Sequence, residues 1–200
     1  MKIIGVTGIS GSGKTTVTCM LADMGAYTVE ADPLAHEVIR KSQPAYKEIV
    51  TVFGTGILDN EGEINRSALG KLVFGDKKKL AKLEHIIHPK VINLTNALIN
   101  QAEASGKYKF AVIDAPLLIE AGMHKNCHSC WLITASHEAR LARIMARDSI
   151  SQETAEKRLS SRKGDEALKP HANIIIENNS NDPEDLRNQV VAALKAIIGL

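Results

Sequence analysis

The sequence is short of cysteine, of charge imbalance and of long apolar runs, and each shortage removes a class of protein. Three cysteines in 200 residues are too few, and odd in number, for a disulfide framework. No segment reaches the roughly 18 consecutive apolar residues of a membrane-spanning helix. Lys and Arg number 25 against 23 Asp and Glu, a formal net charge of +2. That is too mild to draw nucleic acid or a membrane surface, so any basic site has to be local. The first residues lack the apolar core and cleavage site of a secretion signal, and no internal repeat or low-complexity tract stands out. The expectation is a cytoplasmic protein without nucleic-acid or membrane partners. Its 44% hydrophobic content suits one compact domain with room for a subdomain; oligomeric state is not legible.

What is present begins at residue 8. Gly8-Ile9-Ser10-Gly11-Ser12-Gly13-Lys14-Thr15 follows the apolar run Ile3-Ile4-Gly5-Val6 and fits the G-x-x-x-x-G-K-T spacing of a phosphate-binding loop. A strand, a glycine-rich turn and a helix opening near Gly13 would aim backbone N–H groups and a positive dipole end at one anion. Lys14 is then expected on the β- and γ-phosphates of a bound polyphosphate, and the Thr15 hydroxyl on Mg²⁺. Gly8, Gly11, Ser12, Gly13 and Thr16 complete the expected nucleotide-binding set.

Further apolar runs at Tyr27–Ala31, Phe110–Asp114, Cys130–Thr134 and Ile174–Glu177 alternate with helical patterns. Continuous rather than alternating apolarity fits parallel strands covered on both faces, hence an α/β fold with a five-stranded parallel sheet. Asp32-Pro33 and Asp182-Pro183 each read as an N-cap followed by proline at the first helical position. Between Asp32 and Lys109 lie about 76 residues, far more than one crossover helix needs. They read as helices over Pro33–Lys41, Pro44–Phe53, Arg66–Phe74, Asp76–Ile87 and Pro89–Ala104. Such an insertion leaves from the strand ends where ligands of open α/β sheets bind, so it is expected to cover a phosphate acceptor. Lys77-Lys78-Lys79 within it reads as a solvated helix face.

Asp32 and Asp114 both close strands. Asp32 is either a helix cap or the base that takes a proton from an incoming hydroxyl; Asp114 is either a cap or the aspartate that supports Mg²⁺. Arg140, Arg143 and Arg147, at i, i+3 and i+7, share a helix face, and Arg158, Arg162 and Lys163 follow. Residues 140 to 163 hold seven Lys and Arg against three Asp and Glu, the composition of a lid that neutralises phosphates and excludes water. Cys127 and Cys130 have C-x-x-C spacing, but a zinc site needs a second ligand pair. The segment reads instead as a loop leading into Trp131-Leu132-Ile133.

Taken in order, these residues resemble the dephospho-CoA kinase family over essentially the whole chain. The resemblance is carried by the phosphate loop, Glu30-Ala31-Asp32 with Ala35-His36, Phe53-Gly54 with Ile57-Leu58, and Arg66 with Leu69. It continues through Leu83-x-x-Ile86-x-His88-Pro89, Asp114-Ala-Pro-Leu-Leu-Ile-Glu120, Arg143-x-x-x-Arg147-Asp148 and Ile176-Glu177-Asn178-Asn179. It implies a P-loop NTPase fold. The nucleotide core would be residues 1–32, 105–145 and 171–200, the helical acceptor (CoA) domain 33–104, and the lid 146–170. It further implies ATP- and Mg²⁺-dependent phosphorylation of the ribose 3′-hydroxyl of dephospho-CoA, the last step of coenzyme A synthesis. Asp32 would be the base, Arg143 a catalytic phosphate ligand beside Lys14, Arg147 a ligand of the ATP phosphates, and His88 and Asp114 acceptor-side residues. The chain departs from the usual family pattern at Ile9-Ser10, at Glu30 and at Arg162. The alternative is another small-molecule P-loop kinase, for a nucleoside monophosphate or a shikimate-like acid. A guanine-reading switch would need an Asn-Lys-x-Asp motif that the chain lacks.

Overall fold

A computed structural model describes residues 1–160, 164–180 and 182–199. Arg162 and Lys163, expected in the lid, lie outside the described residues. Strands β1 (Lys2–Thr7), β2 (Ala26–Glu30), β3 (Phe110–Asp114), β4 (Ser129–Thr134) and β5 (Ile174–Glu177) form one parallel sheet in the order β2-β3-β1-β4-β5. All five residues of β3 are buried, as are the first five of β4 and the last four of β1, which explains their unbroken apolarity. Ile4, Val6, Phe110, Val112, Trp131, Ile133 and Ile176 share one core cluster with two helices: α1 (Lys14–Asp23), through Val17 and Leu21, and α8 (Pro183–Ile198), through Leu186, Val190 and Leu194. The chain leaves β1 toward one side of the sheet and crosses β1 again between β3 and β4. This reversal sets a crevice at the carboxyl end of β1, where a ligand is expected.

Two compact units divide the chain: residues 1–29 with 101–200, and residues 30–100. The first contains the sheet, α1, α8 and the pair α6 (His137–Asp148) and α7 (Gln152–Ser160). Ser136 caps α6 by accepting from the Ala139 N–H at 3.2 Å, and Asp182 caps α8 in the expected way. The loop reading at Cys127 holds. His128 donates its N–H to the Ile3 carbonyl at 2.8 Å, and its Nδ1 accepts from the Ile3 N–H at 3.1 Å, so the segment is sewn onto β1 before β4 begins.

The second unit is helical: α2 (Ala31–Glu37), α3 (Pro44–Phe53), α4 (Arg66–Val73) and most of α5 (Lys77–Ala104), around Val38, Ala45, Ile49, Ile57, Leu69 and Ile86. Two expectations are corrected here. Asp32 is no cap, because α2 opens at Ala31, two residues before the expected Pro33, and Glu30, in extended conformation, takes the cap position without a side-chain bond. Pro33 then stands third in the helix, where a missing N–H costs little because first-turn donors lack partners anyway. The helices expected over Asp76–Ile87 and Pro89–Ala104 are one helix, α5, with Pro89 inside it. Pro89 deprives the His85 carbonyl of its donor, yet 28 residues of helix packed through Ile86, Val91 and Ile99 outweigh the lost bond. Asp76 caps this helix, its Oδ1 accepting from Lys78 and Lys79 N–H.

Candidate active site

The phosphate loop follows β1 where Val6 stands level with Asp114 of β3 and Trp131 of β4. Two of the loop glycines show why its shape needs them. Gly11 has φ +81°, and a side chain there would come within 2.8 Å of the Arg140 carbonyl oxygen. Gly13 has φ +92°, caps α1, and would drive a Cβ into the Asn178 amide. Both have the left-handed backbone that ordinary residues resist.

Lys14 opens α1 and forms an ion pair with Asp114, the last residue of β3. Both side chains are largely buried, at 17% and 8% exposure, so each charge depends on the other for compensation. Opposite the loop, α6 presents Arg143. Its Nη1 donates to the Gly11 carbonyl at 3.3 Å, and its Nη2 donates to the backbone carbonyl and Oδ1 of Asn178 at 3.0 and 3.3 Å. These acceptors are neutral, and among the described residues no carboxylate pairs with Arg143. Its positive charge therefore remains available to an anion beside the loop.

One turn on, Arg147 grips Asp148 with two bonds of 2.8 and 2.9 Å, and Arg158 of α7 reaches the same carboxylate. Hydrogen bonding to Arg147 holds the Asp148 carboxyl below the usual aspartate range, with Arg158 adding to it. The loop from Gly8 to Thr15, with Arg143, Arg147 and Arg158, encloses a cleft of about 610 Å³. Arg140 stands on the same helix, with its Cα and Cβ against Gly11, but its guanidinium has another partner. It turns to Asp165 at 3.8 Å, and burial raises the pKa of that carboxyl despite the arginine. Thr16 faces an adjoining depression of about 250 Å³ that shares Gly13 and Arg143 with the cleft.

The first unit thus assembles Gly8, Gly11, Gly13, Lys14, Thr15, Arg143 and Arg147 around one cleft, with Asp114 tied to it through Lys14. Ser12 is buried in the loop, and its Oγ has no partner among the described residues. Asp32 and His88 belong to the other unit. Asp32 is exposed in the first turn of α2 and His88 is half-buried in α5; neither side chain makes a hydrogen bond among the described residues. Two polar anchors, Asn178 and Asp148, received no separate role from the sequence. Asn178 was findable, since it is the first residue beyond an apolar strand and strand ends carry ligand contacts. Asp148 was not, because a carboxylate next to an arginine in sequence is ordinary on a helix.

A profile of the dephospho-CoA kinase family matches residues 2–184. The chain belongs to the dephospho-CoA kinase family. A dephospho-CoA kinase from Fusobacterium nucleatum is 41% identical over 95% of both chains, and one from Geobacter sulfurreducens is 37% identical over the same shares. Among solved structures, the dephospho-CoA kinase from Campylobacter jejuni has 29% identity and a TM-score of 0.70, covering 100% of this chain and 99% of its own. A shikimate kinase from Acinetobacter baumannii, at 16% identity and a TM-score of 0.50 over 100% of this chain and 94% of its own, shares the fold alone. The P-loop kinase architecture read from the sequence is therefore correct, and within it the chain lies with the dephospho-CoA kinases.

Proposed function

We propose that this chain is an ATP-dependent dephospho-CoA kinase, transferring the γ-phosphoryl group to the ribose 3′-hydroxyl of dephospho-CoA to give coenzyme A and ADP. The observation that carries this reading is the extent of the family match. Residues 2–184 take in the helical unit as well as the phosphate loop, so the acceptor side is included with the nucleotide side.

The nucleotide side follows from the cleft. Loop N–H groups and the start of α1 face an anion, and Lys14 exchanges part of its pairing with Asp114 for the β- and γ-phosphates. Arg143 offers a forked, unneutralised donor to the oxygens of the phosphoryl group in transfer. Arg147 exchanges Asp148 for ATP phosphate. Thr15 and Asp114 supply hydroxyl and carboxylate oxygens, the donor chemistry that Mg²⁺ prefers, and would hold it together with the phosphates. When bound, Mg²⁺ supplies neutralisation of the phosphate charge.

On the acceptor side Asp32 takes the hydroxyl proton, and the hydroxyl oxygen bonds to the γ-phosphorus as the bond to the bridging oxygen breaks and ADP leaves. His88 contributes to the acceptor site. In this reading residues 33–104 act as the acceptor domain, 146–170 as the lid, and 1–32, 105–145 and 171–200 as the nucleotide core, in a cytoplasmic setting. Mass spectrometry of the product tests the assignment. A gain of one phosphoryl group located on the ribose 3′-oxygen supports it, and phosphorylation elsewhere or not at all refutes it.

A further inference from the structure

The end of β5 holds a residue whose bonding the catalytic roles above leave unused. Asn178 is 8% exposed. Its Nδ2 donates to the Ser12 carbonyl at 2.9 Å, while its Oδ1 and backbone carbonyl both accept from Arg143 Nη2. Its own N–H donates to the Thr134 carbonyl at 2.8 Å, so β4 fixes where the side chain starts. A carbonyl only accepts and a guanidinium only donates, so one orientation of the amide serves both neighbours. An aspartate offers Ser12 no donor, and an apolar residue offers Ser12 nothing and leaves Arg143 only the backbone carbonyl. Gly13 is matched to it, since a side chain there collides with the Asn178 amide.

The consequence reaches the anion site through the Ser12–Gly13 peptide. This bond is trans, so the Ser12 carbonyl and the Gly13 N–H point in opposite directions. Fastening the carbonyl to Asn178 aims the Gly13 N–H the other way, and Gly13 lines the cleft. The same amide holds Arg143, the cleft cation without a carboxylate partner among the described residues.

We propose that Asn178 is a positioning residue that fixes the phosphate loop and Arg143 in one register, so that both meet the same phosphate. The proposal rests on the nucleotide reading of the cleft and is independent of the acceptor. The test is ATP binding by calorimetry without acceptor, for Asn178→Ala, Asn178→Asp, Arg143→Ala and the double variant Asn178→Ala/Arg143→Ala, with a thermal melt of each. Asn178→Ala weakens ATP binding about tenfold, as expected for lost bonds to a charged group. Asn178→Asp weakens it further despite its matching shape, because it repels the Ser12 carbonyl and neutralises Arg143. In the Arg143→Ala background Asn178→Ala costs markedly less than in the native chain, because the two act as a unit. If Asn178→Ala does not fold, Asn178→Ser takes its place in the cycle with the same expectation. ATP binding by Asn178→Asp equal to that of the native chain, or a full and additive loss in the double variant, overturns the proposal. Failure of dephospho-CoA to accept phosphate, with ATP binding intact, would strike the acceptor reading and leave this one standing.

Discussion

The two compact units treat their functional side chains in opposite ways. In the sheet-bearing unit, Lys14 is paired with Asp114, Arg143 is tied to Gly11 and Asn178, and Arg147 is bonded to Asp148. In the helical unit, Asp32 and His88 hold no such bonds among the described residues. Under the proposed function, the difference matches the chemistry asked of each. A cradle for phosphates gains from fixed dipoles and charges that need no rearrangement when the anion develops, whereas a base has to keep its lone pair free for a proton.

Substitutions sharpen that contrast, beginning with the largest effect. Lys14→Ala lowers kcat on the order of a thousandfold, by loss of a fixed charge at the phosphates. It also strands the buried Asp114 carboxylate and lowers unfolding free energy by about 3 kcal/mol. Adding Asp114→Asn restores most of the stability and none of the activity, as read by denaturant titration beside steady-state rates. Asp32→Asn costs kcat roughly a hundredfold while leaving the melting temperature and ATP affinity unchanged, since Asp32 is exposed and unbonded. A stability loss in Asp32→Asn comparable to that of Lys14→Ala would erase the distinction between the units.

Smaller effects follow. His88→Ala raises the KM for dephospho-CoA by about tenfold, the scale of one lost polar contact, with the KM for ATP unaltered in initial-rate experiments. An equal rise in both would remove His88 from the acceptor side. The smallest effect lies under the phosphate-loop unit, where burial pushes the Cys127 thiol from 9.0 up to about 12 and Cys130 up to about 11. Both bind protons more tightly folded than unfolded, so stability from these groups is intact below pH 9.0 and falls as pH rises from there toward about 12. At neutral pH a thiol-specific disulfide reagent accordingly labels exposed Cys19 fast and the other two only after unfolding; three fast thiols would contradict this.

How much of this was legible depends on where the determining interaction lies. The phosphate loop, β1 and α1 were readable because glycine spacing, apolar runs and helix onset are local properties, and Asp182 before Pro183 marked its helix correctly. Pro89 misled because its local penalty was weighed without the long packed helix that absorbs it. Asp32 read equally well as a cap because a shift of two residues in the start of α2, which puts Glu30 in the cap position, decides the matter. The turn of Arg140 toward Asp165 and the partnership of Asn178 with Ser12 join residues 25 and 166 positions apart, beyond any periodicity. In the helical unit the elements were largely visible, but nothing in its pattern alone marks His88 above His85; the family resemblance did.

The central claim is that the phosphate held by the loop passes to dephospho-CoA and not to a smaller acceptor. It is tested most directly by ADP release from ATP and Mg²⁺ in the presence of dephospho-CoA, compared with AMP, CMP and shikimate at equal concentration. The account predicts strong stimulation by dephospho-CoA alone, abolished by Lys14→Ala. Stimulation by one of the other three, or none by dephospho-CoA, would contradict it.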